Sequence, residues 1–464
     1  MSVINTELIK DTVYKLCLQA GQELSPYSYN NILAEYKKSG SKRLAHILQN
    51  AKNADKIKRP LCQDTGTVHV FLKVGNEVSF SSDVVKAVND GVEKCYVEEF
   101  FRKSIVQNEF LSGKNTETNT PALIDVEYTT GKKLEIGVLL KGAGCDNVSE
   151  IKMLLPTTTE QEFQQFIEKT IFEKAKNACP PVFVSVTVGT GAESVTAVAE
   201  RAYFSTQNDF PELSKQIKEN INSQADKKFD GYLVADVKIT ARPHHMASLP
   251  VAVIFNCHSL RIASAVISGE NVEFSDKITD FINIEEEASS AIEVDLSDMA
   301  QISTLKEGQD VLLTGEILIA RDAAHKKMLE YKKAGKKLPF DLSDKTVFYA
   351  APCPAKPSEI IGSMGPTTSH RMDKFLAEFP QVKATMGKGA RSKAAEDFIR
   401  ANNSVYFEIE GGISTLLASC FEKYEPLAFK ELSTEAVSLA KIKKLPAKVA
   451  ISANREKKRR DKPA

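Results

Sequence analysis

Between residues 284 and 298 the sequence IEEEASSAIEVDLSD is acidic and carries no long apolar repeat. The hydrophobic pattern on its two sides differs in kind, so the two halves must build separate cores. Before the break, residues 1–57 read as helical, with YNNILAEY and LAHILQNAKNA placing apolar residues at helical spacing. TVHVFLKV then reads as a strand and DVVKAVNDGVEKCYVEEFFRKSI as a helix. ALIDVEYTT, a Gly-Lys turn and KLEIGVLL predict a hairpin. A helix around 160–177, the buried strand PPVFVSVTVGTG, a helix from near Glu193, and the strands GYLVADVKITAR and PVAVIFNC complete an α+β half. After the break, QDVLLTGEILIA, RDAAHKKMLEYKKAG, KTVFYAAP, RSKAAEDFIRA and SVYFEIE alternate strand and helix, the rhythm of an α/β domain.

Charge and length narrow the function classes. Lys+Arg and Asp+Glu both number 61, so no overall field favours nucleic acid or an anionic membrane. The N-terminal helix carries Glu7, Lys10 and Asp11 and lacks the apolar core of a signal peptide. No apolar run approaches the roughly 20 residues that span a bilayer, and the expected location is the cytoplasm. The eight cysteines are scattered without the compact framework of a small secreted protein, which predicts free thiols or metal ligands.

Three cysteines stand at element boundaries. Cys62 precedes the loop QDTG, Cys179 precedes PPVFVSV, and Cys257 closes VAVIFN just before His258. Their spacing matches no compact zinc or ferredoxin motif, so spacing leaves buried thiol and ligand both open. Polar constellations accompany them. RPHHMASLP puts His244 and His245 at a strand end, where one ring can face solvent and the other a site; KNTETNTPA is dense in short polar groups, and the glycines of KGAGCDN let backbone N–H groups approach a ligand, a plain turn being the alternative for these two. In the second half Arg321 lies between a strand and a helix, a Gly-Pro-Thr-Thr-Ser turn precedes Arg371, and Lys388 stands between two glycines. Glycine and hydroxyl loops with Arg and Lys suit a small dianion. GKGARSK lacks Walker A spacing, which argues against nucleotide hydrolysis.

Taken in order, CQDTGT, KNTETNTPA, KGAGCDN, ACPP, HHMASLPVAVIFNCH, TGEILIARDAAH, PAKPSEIIGSMGPTTSHRM and GKGARSK resemble the iron-sulfur class I fumarate hydratase and tartrate dehydratase family, its α and β parts fused in one chain. The resemblance spans about residues 8–430. It implies an α+β cluster-binding catalytic domain over 1–285, a linker over 286–298 and an α/β swivelling domain of β/β/α type over 299–450 that closes over the first. Residues 451–464 read as a solvated, disordered basic tail.

By the same resemblance Cys62, Cys179 and Cys257 match the thiolates that hold a [4Fe-4S] cluster with one open iron site. Thr367 falls at the proton-abstracting position, and Asp64, supported by His245, where the departing hydroxyl is protonated. Gln63, Arg102, Arg321, Arg371 and Lys388 match contacts to the substrate carboxylates. The implied reaction adds or removes water on a small dicarboxylate, fumarate to (S)-malate first, with L-tartrate or mesaconate as alternatives and a non-catalytic cluster-containing binding or sensing protein as the reading from another class. A homodimer is expected, with no nucleic-acid or membrane partner. One departure is Cys145-Asp146-Asn147 where relatives commonly have Ser-Glu-Asn; Cys145 reads as a serine-sized replacement.

Overall fold

The computed structural model describes residues 2–107, 113–226, 229–284 and 291–454. The chain divides into two compact units, Met1–Asn283 and Ile284–Ala464, each described by itself.

The first unit opens with β1 (Ser2–Ile4) and the helices α1 (Thr6–Gln22), α2 (Pro26–Ser39) and α3 (Lys42–Ile57). Each helix starts where a polar side chain takes up an orphan amide: Asn5, Ser25 and Ser41 accept from the N–H groups of Glu7, Ser28 and Leu44. Such caps contribute about 1 kcal/mol each. The chain continues through β2 (Thr67–Gly75), β3 (Val78–Phe80), α4 (Val84–Glu98), β4 (Leu123–Thr129), β5 (Leu134–Lys141) and the one-turn helix α5 (Ala143–Asp146). It goes on through β6 (Glu150–Leu154), α6 (Glu160–Lys174), β7 (Val182–Thr190), α7 (Val195–Arg201) and α8 (Pro211–Ser223). Then follow β8 (Val234–His244), β9 (Leu249–Asn256), β10 (Ile262–Ser268) and β11 (Asn271–Phe274).

These strands form two main sheets with separate cores. One has the order β11-β10-β5-β2-β4, the other β6-β9-β7-β8. Ile9, Val13, Leu16 and Ala20 of α1, together with Val88, Val92 and Cys95 of α4, pack on Val68, Val70, Leu72, Ile136 and Val138 of the first sheet. Phe163, Ile167 and Ile171 of α6, with Leu213, Ile217 and Ile221 of α8, cover Val184, Val186, Val251 and Val253 of the second. The hairpin expected from ALIDVEYTT and KLEIGVLL does not form. β2 lies between β4 and β5, parallel to one and antiparallel to the other. The more apolar strand takes the centre, while β4 stands at the edge with Leu123, Val126 and Tyr128 exposed.

Strand ends explain where chemistry can gather. Thr67 pairs with Lys141 and Ile262 with Leu139, so the starts of β2 and β10 and the end of β5 share one edge of the first sheet. Phe183 pairs with Asn256, which brings the start of β7 beside the end of β9 in the second. The short link Cys257–Arg261 carries the chain from one sheet to the other at that place. The loops 62–66, 142–145, 178–181 and 257–261 therefore converge although they are far apart in sequence.

The second unit contains β12 (Ile292–Asp295), α9 (Met299–Thr304), β13 (Asp310–Ile319), α10 (Asp322–Lys333), β14 (Thr346–Phe348), β15 (Ala350–Pro352) and β16 (Met364–Pro366). It ends with α11 (Asp373–Leu376), β17 (Ala384–Gly387), α12 (Lys393–Ala401), β18 (Val405–Glu408), α13 (Ser414–Ala418), β19 (Phe421–Ala428) and β20 (Val437–Ile451). β13, β14, β17, β18 and β20 pair in succession, and β20 pairs back on β13, closing a ring of five strands. β12 joins β13, and β19 joins β20. KTVFYAAP is not one strand: β15 leaves the ring and pairs with β16.

The expected linker 286–298 is corrected in part. Its residues 286–290 lie outside the described residues, but 292–295 form β12 and pair with β13. Val294 and Leu296 are buried, a short alternation that the surrounding acidic residues mask. Of the basic tail, 455–464 lie outside the described residues, while Ile451 still belongs to β20 and Asn454 bonds Ser303 and Leu305. Among the described residues no helix is long and apolar enough to cross a membrane.

Candidate active site

In the first unit the three boundary cysteines belong to one electrostatic neighbourhood. Cys62, Cys179 and Cys257 are unbridged and partly buried. Burial pushes the Cys62 thiol up to about 12; the fields of Asp64, Cys257 and Cys179 add to the rise, and Arg261 opposes it. Cys257 moves the other way, held well below the ordinary thiol range by a hydrogen bond with Cys145, helped by His258 and Arg261. Cys145 is buried behind this group, its Sγ also 3.7 Å from the Ala178 carbonyl.

The backbone around the thiols is clamped. Cys179 adopts φ 56°, in the left-handed region, a conformation that costs a β-carbon-bearing residue about 1–2 kcal/mol. Its carbonyl accepts from His258 Nδ1 at 3.0 Å, and the neighbouring Pro180 carbonyl accepts from Arg43 Nη1 at 2.8 Å. The same Nδ1 lies 3.3 Å from the Pro180 carbonyl, so it faces two acceptors of that turn. His258 thus ties the Cys257 loop to the Cys179 loop. It is a brace, which its sequence position beside Cys257 did not disclose.

The loop 62–66 is held as firmly. Thr65 Oγ1 donates to the Arg102 carbonyl at 2.7 Å, Tyr96 Oη donates to the Thr65 carbonyl at 2.8 Å, and Asn119 Nδ2 donates to the Gly66 carbonyl at 3.1 Å. The polar segment KNTETNTPA therefore supplies a brace through Asn119, which is fully buried and also accepts from Ser104 N–H. Gly66 has φ 77°, and a Cβ there would lie 2.3 Å from the Lys141 carbonyl oxygen. Only glycine fits. Below the loop, buried Lys141 pairs with Glu200 at 3.1 Å, and Glu200 with His69 Nδ1 at 2.6 Å.

Asp64 stands in the middle. Its Oδ2 accepts from Ala143 N–H at 3.0 Å, and Arg261 Nη1 donates to its carbonyl. Oδ1 has no hydrogen bond among the described residues. Gln63 Oε1 lies 3.3 Å from Cys62 Sγ, and Arg102 follows α4 with a partly buried side chain. His245 is placed differently from the expectation. It is exposed in the turn after β8, its Nδ1 accepting from Ala247 N–H at 3.1 Å, and no hydrogen bond joins it to Asp64. The 245–248 turn closes on itself through Ser248 N–H to the His245 carbonyl, and the support of Asp64 comes from Ala143 and Arg261 instead.

The second unit gathers the other candidates. Lys388 N–H donates to the Thr367 carbonyl at 3.0 Å and Ser369 N–H to the Lys388 carbonyl at 2.9 Å, so the two motifs GPTTS and GKGA run side by side. A Cβ on Gly387 would meet Ser369 Oγ at 2.0 Å, which explains one glycine of the second motif. Thr367 is 8% exposed. Arg371 Nη2 bonds Asp322 Oδ2 at 2.6 Å, Arg321 Nε lies 3.6 Å from the same oxygen, and Arg321 Nη2 reaches Glu435 at 3.1 Å. Asp322 therefore aligns the two arginines, a role hidden in ARDAAH. Arg391, also in the GKGARSK motif, is a structural cation: it is buried, bonds Asp373 at 2.5 Å and lies over Tyr349 and Tyr406.

Residues 6–266 match the family described as Fumarate hydratase (Fumerase), and residues 270–457 match Fumarase C-terminus. The chain belongs to the fumarate hydratase family. It is 29% identical over 443 residues to an anaerobic class I fumarate hydratase of Escherichia coli K12, covering 87% of this chain and 80% of that one. It is 30% identical over 445 residues, with the same coverage, to the mitochondrial fumarate hydratase 1 of Leishmania major. A putative L(+)-tartrate dehydratase α subunit of Methanocaldococcus jannaschii is 32% identical over 276 residues, 55% of this chain and 96% of the subunit.

Proposed function

We propose that this chain is an iron-sulfur hydro-lyase that interconverts fumarate and (S)-malate. The observation that carries the reading is the convergence of Cys62, Cys179 and Cys257 around a loop that also presents Asp64, within a chain of the fumarate hydratase family. The donor set fits the cofactor: three soft sulfurs that sense one another's charge are ligands an iron-sulfur cluster takes, and Arg261 offsets their negative charge. Among the described residues no three His, Cys, Asp or Glu side chains are grouped to hold a single metal ion. When bound, a cluster with three protein thiolates has one open iron, which supplies Lewis acidity toward a hydroxyl and a carboxylate oxygen.

The chain's own residues do the rest. In dehydration the hydroxyl must leave with a proton, and Asp64 gives it from Oδ1, Oδ2 being occupied by Ala143 N–H. The proton on the neighbouring carbon is weakly acidic, and Thr367 is assigned to take it. A threonine hydroxyl is a poor base, so positive charge from Lys388, which shares its backbone pairing, and from Arg371 assists. Gln63, Arg102, Arg321, Arg371 and Lys388 bind the two carboxylates, with Asp322 setting the aim of two arginines. His245 keeps its proposed place in proton traffic by way of solvent, since it is exposed. The swivelling character of the second unit, a homodimer and a cytoplasmic location belong to the same proposal; free thiols suit a reducing compartment. L-tartrate is the second substrate reading, favoured by the similarity to the archaeal subunit.

The test is anaerobic reconstitution with iron and sulfide, followed by side-by-side assays of fumarate, L-tartrate and mesaconate. The expected result is a bound cluster and turnover of fumarate, both lost in Cys179→Ser. Absence of iron uptake by the unaltered protein overturns the proposal.

A further inference from the structure

Arg261 ends the link that crosses between the two sheets, four residues after Cys257, and is 3% exposed. A guanidinium buried that deeply demands counter-charge, since an unpaired buried cation costs several kcal/mol. No carboxylate forms an ion pair with it among the described residues. Asp64 and Cys257, whose thiol is held low, are its charged neighbours, and their fields offset its burial.

The hydrogen bonds of Arg261 point the same way. Nη1 donates to the Asp64 carbonyl, two residues from Cys62. Nη2 reaches the hollow above Gly142, where a Cβ would lie 3.0 Å from Nη2 and 3.3 Å from Asp64 Oδ2. The missing side chain of Gly142 leaves room for the guanidinium and the carboxylate together, and Ala143 N–H closes the arrangement from the next residue. A lysine keeps the charge but not the fork that reaches a carbonyl and a hollow at once.

We infer that Arg261 is a positioning residue of the reaction: its fork fixes the loop that carries Cys62 and aims Asp64, and its buried charge stands beside that loop. The inference rests on the proposed hydro-lyase reading for its kinetic consequence but not for its structural one. Loss of the fork disturbs the orientation of Asp64, so kcat falls. Loss of the charge makes an added electron on a bound cluster less favourable, so its midpoint potential moves to more negative values.

The experiment compares the unaltered full chain, Arg261→Lys and Arg261→Gln in two arms. In the first, cluster-free protein is followed by amide hydrogen exchange. Arg261→Gln should raise exchange at residues 62–66 with α6 and α8 unchanged; unchanged exchange at 62–66 overturns the positioning role. In the second, anaerobically reconstituted protein is assayed for iron, midpoint potential and fumarate hydration. Arg261→Lys should hold iron and potential near those of the unaltered chain with kcat lower by about 10–100-fold, and Arg261→Gln should add the negative shift in potential. Full kcat in Arg261→Lys overturns the inference even if Arg261→Gln does not fold. If the unaltered chain binds no iron, the hydro-lyase reading fails, and the exchange arm alone decides the role of Arg261.

Discussion

In cluster-free protein the thiols of Cys62 and Cys257 should behave as different chemical species. Burial, reinforced by Asp64 and the other two thiols, pushes Cys62 up to about 12, whereas the hydrogen bond with Cys145 holds Cys257 well below the ordinary range. The thiolate is the nucleophile in alkylation. At pH 8 a thiol of pKa about 12 is roughly one part in ten thousand ionised, against roughly a tenth at pKa 9, a deficit of about a thousandfold. Timed iodoacetamide labelling of the apo-chain, read peptide by peptide by mass spectrometry, measures this. Cys62 should gain about tenfold in rate per pH unit up to pH 10, while Cys257 should show a shallower slope over the same range. The pH slope separates ionisation from access, because both side chains are partly buried. Cys257→Ala removes one charge that raises Cys62 and should speed its labelling. A Cys62 rate that levels off below pH 9, or equal slopes for the two thiols, refutes the assignment of environments. The same reasoning makes cluster insertion release a proton from Cys62, so reconstitution should quicken as pH rises from 7 to 9.

Three further outcomes are expected. Gly66→Ala combines a left-handed backbone with a Cβ 2.3 Å from the Lys141 carbonyl, and thermal melting should report a loss of more than about 2 kcal/mol; Gly40→Ala, at φ 62° with nothing nearby, should lose only about 1 kcal/mol. Lys141→Met strands buried Glu200 with His69 alone and should cost about 3 kcal/mol at pH 7 in denaturant titration. Burial of Glu200 raises its proton affinity, but His69 and Lys141 outweigh that and hold its pKa below the ordinary value. Its stabilisation is therefore present above the unfolded pKa and lost as pH falls through the folded one, so the Lys141→Met difference should shrink below about pH 4. Cys145→Ser should retain iron stoichiometry and turnover within about twofold, since a hydroxyl can also donate to Cys257, whereas Cys145→Ala should move Cys257 labelling to higher pH.

The residues proposed to do chemistry are more legible in the sequence than the geometry that joins them. Cys62, Cys179 and Cys257 were visible as boundary residues, but their convergence depends on strand order: β7 beside β9, and β5 between β10 and β2. Local periodicity contains no such information, which is also why ALIDVEYTT and KLEIGVLL read as a hairpin when β2 separates them. β12 was hidden because its two buried positions, Val294 and Leu296, are embedded in acidic residues. The bracing roles of Arg261, His258 and Asn119 have no sequence signal for another reason. Each acts through hydrogen bonds to backbone carbonyls, whose positions no side-chain motif announces. Asp322 gave the one available signal, a carboxylate beside Arg321 at a helix start.

The crossing at Cys257–Arg261 has a consequence for how the first unit comes apart. Its two sheets rest on two separate apolar cores, and the thiols are divided between them, Cys62 before a strand of one sheet, Cys179 and Cys257 at strand ends of the other. A group held by all three thiols is a cross-link between cores. The loaded unit should then unfold as a single cooperative body, and chelation should uncouple it into two transitions, with the β2–β5–β10 core and the β7–β9 core melting at different temperatures.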